Sequence, residues 1–258
     1  MKQRTIKEGF SFEGIGLHSG MLCKARVKPA AEETGITLNN TPATAENVTK
    51  TSRNTTVAGI AVAEHFLAAA FGLGIDNLAV EVKGGEFPAM DGSSLPFVQA
   101  LQNAGIVEQA AEKNFIKVKF PIIVTDEDKS LKAALFNGLR LHFMVDFPGI
   151  GEQKFIFEDA FAAQIAPART VGYLKEHEAL KEQGLALGAS LENALVIGES
   201  GYLNQPRFAD EIVRHKILDL IGDLALLGRP LQAEIWANQT GHRHNIELVR
   251  RILENDRA

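Results

Sequence analysis

Residues 208–227 read FADEIVRHKILDLIGDLALL. With no glycine or proline before Gly222 and apolar residues at helical spacing, the stretch predicts a helix from Phe208 to Leu227. Each residue turns a helix by about 100°. Val213, Ile217, Leu220, Leu224 and Leu227 then form one continuous stripe, the core-facing side. His215, Asp219 and Asp223 recur four residues apart on roughly the opposite side, flanked by Ile212, Leu218 and Leu226. Two readings of that side are open. It is a wet face with one ordinary His/Asp pair, or a buried face whose imidazole and carboxylates are paired or metal-bound, because an uncompensated buried charge is costly.

The chain has 258 residues, enough for one large domain or two average ones with a real core. It is 45% hydrophobic and 23% charged, the composition of a soluble globular protein. A net charge of −5 gives no global basic field, so nucleic acid is not an expected partner, and an anionic substrate would need a local Lys/Arg cluster. Cys23 is the only cysteine, which excludes an intramolecular disulfide and fits a reducing compartment. The opening MKQRTIKEGFSF is not followed by an apolar run, and no window approaches a membrane-spanning length. The expectation is a cytoplasmic protein with no signal peptide and no integral membrane segment.

Working outward, Gln3–Phe12 and Cys23–Lys28 read as strands, with GIGLHSG (14–20) as the loop between them. Residues 39–54 are polar and connecting. Ala61–Leu73 predicts a second informative helix, stopped by Gly72 and Gly74, with Glu64-His65 near its start. A strand at Asn77–Val82, a turn-rich loop at 87–94 and a helix at Pro96–Gly105 follow. Phe115–Val124 and Leu139–Phe147 read as strands, with the DEDK turn at 126–129 as a boundary marker. Phe155–Ile165 reads as a strand–helix passage, Leu174–Gln183 as a helix and Ala194–Ile197 as a short buried strand. After the helix at 208–227 come a strand at Gln232–Ala237 and a closing helix at Asn245–Glu254. Two halves of similar make-up, residues 1–112 and 113–258, give an α+β fold.

Catalytic zinc is commonly held by three N/O side chains with a fourth position open. His215 and Asp219, one helical turn apart, can reach one ion, and His65 is a candidate third ligand. Its neighbour Glu64 would then be placed as a general base. His242 lies in the loop Thr240-Gly241-His242, beside a glycine and outside any apolar pattern, so a core role is not expected and a surface loop histidine is the plain alternative.

Several stretches together resemble the UDP-3-O-acyl-N-acetylglucosamine deacetylase family, zinc amidases of lipid A biosynthesis. They are GIGLHSG (14–20), AEHFLAAAFGLGIDN (63–77), MDGSSLPFV (90–98), the DF at 146–147, ARTVGY (168–173), GLALGAS (184–190), RFADEIVRHKILDLIGDL (207–224) and TGH (240–242). The resemblance implies zinc, or iron, which the same ligand set suits, held by His65, His215 and Asp219. It implies Glu64 as general base and His242 as general acid, with Lys216 and Asp223 in support. Thr170 matches the residue that steadies the oxyanion, and Asp146 and Phe147 match nucleotide contacts. The implied fold is two α+β domains of like topology packed face to face, each with a small insert, the second at about 171–198 and forming an acyl passage. The implied substrate is a UDP-linked acylated N-acetylglucosamine, the site lies between the domains, and the expected state is a monomer.

The chain also departs from that pattern. The segment between Asn54 and Ala63 and the loop Pro148–Lys154 are short, and Ser52-Arg53-Asn54 are polar where the family is apolar after the threonine matching Thr51. Val171 replaces a common aromatic, and Ala189 stands where a glycine is usual in the acyl passage. Two further functions compete: a metal-dependent deacetylase of another N-acyl sugar, and a sugar-nucleotide-binding homologue without turnover.

Overall fold

The computed structural model describes residues 1–257. Its first half contains β1 (Lys2–Ile6), β2 (Phe10–Ile15), β3 (Leu22–Pro29), β4 (Ile36–Leu38), β5 (Thr41–Pro42), β6 (Val48–Lys50), β7 (Thr56–Val57), α1 (Glu64–Gly72), β8 (Leu78–Lys83), α2 (Leu95–Asn103) and β9 (Ile106–Glu112). The second half contains β10 (Ile116–Lys117), β11 (Ile122–Asp126), β12 (Lys129–Ala134), β13 (Leu139–Phe147), β14 (Gly151–Phe157), α3 (Phe161–Gln164), β15 (Val171–Tyr173), α4 (His177–Glu182), β16 (Leu195–Gly198), β17 (Gly201–Tyr202), α5 (Glu211–Leu224), β18 (Leu231–Asn238) and α6 (His242–Arg257). The fold is α+β.

The sheets repeat one plan. The first runs β2-β3-β8-β4-β5, the second β11-β12-β18-β13-β14 with β10 added beside β18. In each, the strand following the buried helix lies centrally, antiparallel to one neighbour and parallel to the other. Alternating side chains build each sheet: Cys23, Ala25 and Val27 of β3 point inward, while Leu22, Lys24 and Arg26 are exposed. Between fifth strand and helix each half carries an extra piece. In the first it is the β6–β7 pair, in the second the small sheet β15-β16-β17. β9 returns to pair with β1, so the expected boundary at 112 falls just after that pairing.

α1 and α5 pack directly against each other. A Cβ on Gly222 would collide with the carbonyl of Glu64, so the absent side chain lets the middle of α5 approach the start of α1. Phe66 of α1 joins Phe12, Phe87 and Phe97 in an aromatic cluster beneath the first sheet. The stripe Val213, Ile217, Leu220, Leu224 and Leu227 is buried as expected, and so are His215, Asp219 and Asp223. The wet-face reading of that side is therefore wrong.

Several boundaries differ from the sequence reading. Gln3–Phe12 is two strands broken at Lys7–Gly9, because Gly9 passes close to the Val27 carbonyl and lets the chain change sheets. Phe115–Val124 also splits, at a proline that cannot donate to a ladder, Pro121. The 126–129 turn joins β11 to β12 within one sheet and marks no boundary. The long helix begins at Glu211 and closes as a 3₁₀ turn over Ala225–Leu227. The closing helix begins three residues before Asn245, at His242, because the buried polar residues His244 and Asn245 hide its apolar period. No helix among the described residues is long and apolar enough to cross a membrane.

Candidate active site

α5 places His215 and Asp219 one turn apart, with Nε2 of one 3.3 Å from Oδ1 of the other. His65, in the first turn of α1, brings its ring edge-on to His215 at a centroid distance of 5.1 Å. One ligand atom from each of the three buried residues falls within 4.8 Å of the other two. His215 Nδ1 lies 3.1 Å from the Ala168 carbonyl, which can only accept, so Nδ1 carries the proton and Nε2 keeps its lone pair for an ion. Lys216 donates to the other oxygen of Asp219 at 2.8 Å.

Protonation states agree with that geometry. Burial, reinforced by the charge of His215, pushes His65 down to about 3, and burial lowers His215 also. Burial works against ionisation of Asp219, but His215 and Lys216 outweigh it and hold the carboxyl below its ordinary range. Two neutral imidazoles and one carboxylate are the forms that bind a divalent cation. The donor set fits a metal ion.

Glu64 and His242 sit beside this triad. Oε2 of Glu64 accepts the Thr55 N–H at 3.0 Å, and Oε1 lies 3.7 Å from His242 Nε2. Burial, with Asp219 and Asp223 adding to it, raises Glu64 to about 8. Asp223 Oδ2 accepts from His242 Nδ1 at 2.8 Å and from Asn245 Nδ2 at 2.9 Å. Burial pulls the His242 pKa down, yet Asp223 and Asp219 overcome it and push it up to about 10. His242 is the first residue of α6, where the helix dipole disfavours a cation. The neighbouring carboxylates win over that term too.

Glu64, His65, His215, Asp219 and His242 line a cleft of about 380 Å³ to which Thr170, Val171, Phe147 and Lys216 also contribute. Phe147 stacks on Tyr173 with centroids 5.2 Å apart. Asp146 is exposed beyond the cleft wall, and its carbonyl receives Gln239 Nε2 at 3.3 Å. Ala189 borders a separate apolar groove of about 180 Å³, walled by Tyr173, Leu180, Leu191 and Val196. The sequence reading missed the basic rim of the cleft, Arg53, Lys129 and Arg243, of which Arg53 is paired with Glu176 and Arg243 with Asp126. It also missed Thr55, for which no local pattern signals a role.

The whole chain also matches known proteins. A family model for UDP-3-O-acyl N-acetylglycosamine deacetylase matches residues 3–254. The chain belongs to this family. Its relatives, each named UDP-3-O-acyl-N-acetylglucosamine deacetylase, include proteins from Oleidesulfovibrio alaskensis and Histophilus somni. The first is 42% identical over 99% of this chain and 90% of its own length, the second 42% over 100% and 92%. A relative from Haemophilus influenzae strain 86-028NP is 41% identical over 100% of this chain and 92% of its own length. The alignment with the Histophilus relative extends over 280 positions against 258 residues here, so that relative carries residues this family member lacks.

Proposed function

We propose that this chain hydrolyses the N-acetyl group of UDP-3-O-acyl-N-acetylglucosamine, giving acetate and the free amine, as a zinc-dependent step of lipid A biosynthesis. The observation that carries the reading is one buried cluster in which His65, His215 and Asp219 fit a metal ion while Glu64 and His242 flank it. A zinc ion, or iron in its place, would supply Lewis-acid polarisation of the acyl carbonyl and acidify water beside it.

Glu64 takes the proton from water as its oxygen bonds to the acetyl carbon. His242, held cationic by Asp223, stabilises the negative charge that forms and donates a proton to the leaving nitrogen as the C–N bond breaks. The Thr170 hydroxyl and the Lys216 ammonium serve the developing oxyanion, an effect commonly worth about 3 kcal/mol per donor. Phe147, with Asp146 near it, receives the nucleotide, and the basic rim receives the diphosphate. Val171 at the cleft and Ala189 in the apolar groove bound the path of the acyl chain, which an unacylated sugar would leave empty.

Residues 1–112 and 113–258 are proposed as two domains meeting at this site, to which α1 contributes from one and α5 and α6 from the other. A monomer is proposed, and a cytoplasmic setting follows from the substrate. The test is acetate release from the UDP-linked substrate beside its unacylated counterpart. Rapid release from the first and little from the second is expected. Equal rates would point to another N-acyl sugar, and no release from either to a binding protein.

A further inference from the structure

We propose that Thr55 is a positioning residue that sets the base and the acid of this site against each other, a role that rests on the deacetylase reading above. Thr55 is fully buried, in the link between β6 and β7 and directly before β7. All of its polar groups are engaged. Its N–H donates to Glu64 Oε2 at 3.0 Å, and its carbonyl accepts the Ala63 N–H at 3.1 Å, at the start of the helix that carries Glu64. Its hydroxyl donates to Asp223 Oδ1 at 2.6 Å and lies 3.1 Å from His242 Nδ1.

A hydroxyl has one proton and two lone pairs. With the proton directed to Asp223, the oxygen faces His242 as an acceptor, so the imidazole Nδ1 carries hydrogen and shares it between Thr55 and Asp223 Oδ2, 2.8 Å away. A ring turned over would present carbon to both acceptors. Nε2 is thereby fixed toward Glu64, and because the Thr55 N–H holds Oε2, the Oε1 atom is the one left facing it at 3.7 Å. One residue thus fixes which oxygen of the base and which nitrogen of the acid face the same space. Groups of this kind typically change activity by about 10–100-fold when removed.

Thr55→Val keeps the shape and the backbone N–H but deletes the hydroxyl. The expected result is a kcat lower by about 10–100-fold, with KM, metal content and melting temperature near wild type. Thr55→Ser should restore most of the rate. A cycle with His242→Gln separates positioning from a general packing role. If Thr55 acts through His242, Thr55→Val costs little further rate once His242 is gone, whereas a packing defect costs the same fraction in both backgrounds. Thr55→Ala read through the same cycle serves if the valine variant folds poorly. Full kcat in folded, metal-bearing Thr55→Val, or equal fractional losses in both backgrounds, overturns the proposal. Absence of acetate release by the wild-type protein overturns the deacetylase reading instead.

Discussion

Glu64 and Glu211 hold the same place in two different helices, the first residue of α1 and of α5, and both are buried. Their surroundings differ. Glu211 accepts from Arg169 Nε at 2.9 Å and Nη2 at 3.2 Å, from the Arg169 N–H at 2.9 Å and from the Arg207 N–H at 2.5 Å. Although burial opposes ionisation, these donors hold its pKa below the ordinary value. Glu64 has one backbone donor and an imidazole at 3.7 Å, and burial drives it up to about 8. The closed region is a structural joint, tying the segment before Thr170 to the start of α5. The open region leaves Glu64 Oε1 without a hydrogen-bond partner and makes its carboxylate form a stronger base than usual, properties that suit the proposed general base.

If that contrast is right, damage to the two regions should register in different measurements. The largest effect is expected for His215→Ala, which removes one of the three proposed ligands: metal retention and acetate release should both fall to background. A purified variant with stoichiometric metal and full turnover would break the assignment. Glu211→Ala should act on the fold instead, because it strands the buried Arg169 guanidinium. Breaking a buried pair of this kind costs about 3–5 kcal/mol, read as a shift in the denaturant midpoint. Unchanged stability would show that the joint is ornamental.

The same contrast has a pH signature. The folded pKa of Glu211 is depressed, so its contribution to stability is complete above its ordinary value of 4.5 and is lost as the pH falls through the lower folded value. Wild type should therefore exceed Glu211→Gln in stability at pH 7, and the gap should narrow below about pH 4.5. A gap that stays constant on acidification would remove the charge from the explanation. The smallest effect concerns the apolar groove. Ala189→Gly frees the space of one methyl, and about 0.8 kcal/mol per buried methylene makes a modest shift of the kcat/KM optimum toward longer acyl chains the expected outcome. Superimposable chain-length profiles would exclude Ala189 as a gauge.

The open region was far more legible in the sequence than the closed one. The apolar stripe of α5, the four-residue spacing of His215 and Asp219 and the Glu64-His65 pair are local patterns, and all four polar residues lie where those patterns lead. The joint was not readable, because Arg169 and Glu211 stand 42 residues apart and nothing near either names its partner. Thr55 and Asp223, 168 residues apart, are further still from any local rule. Strand breaks at Gly9 and Pro121 are hidden for a related reason: alternation continues across them while the backbone changes partner. His242 looks like a loop residue in the sequence because His244 and Asn245 take core positions that an apolar pattern would have marked.

The proposed deacetylation requires Glu64 to act as a base beside a metal held by other residues. Its most direct test measures metal content and acetate release together in Glu64→Gln. The expected protein binds as much zinc as wild type while kcat falls by about 10²–10⁴-fold. A Glu64→Gln enzyme that carries its metal and turns over at the wild-type rate would contradict it.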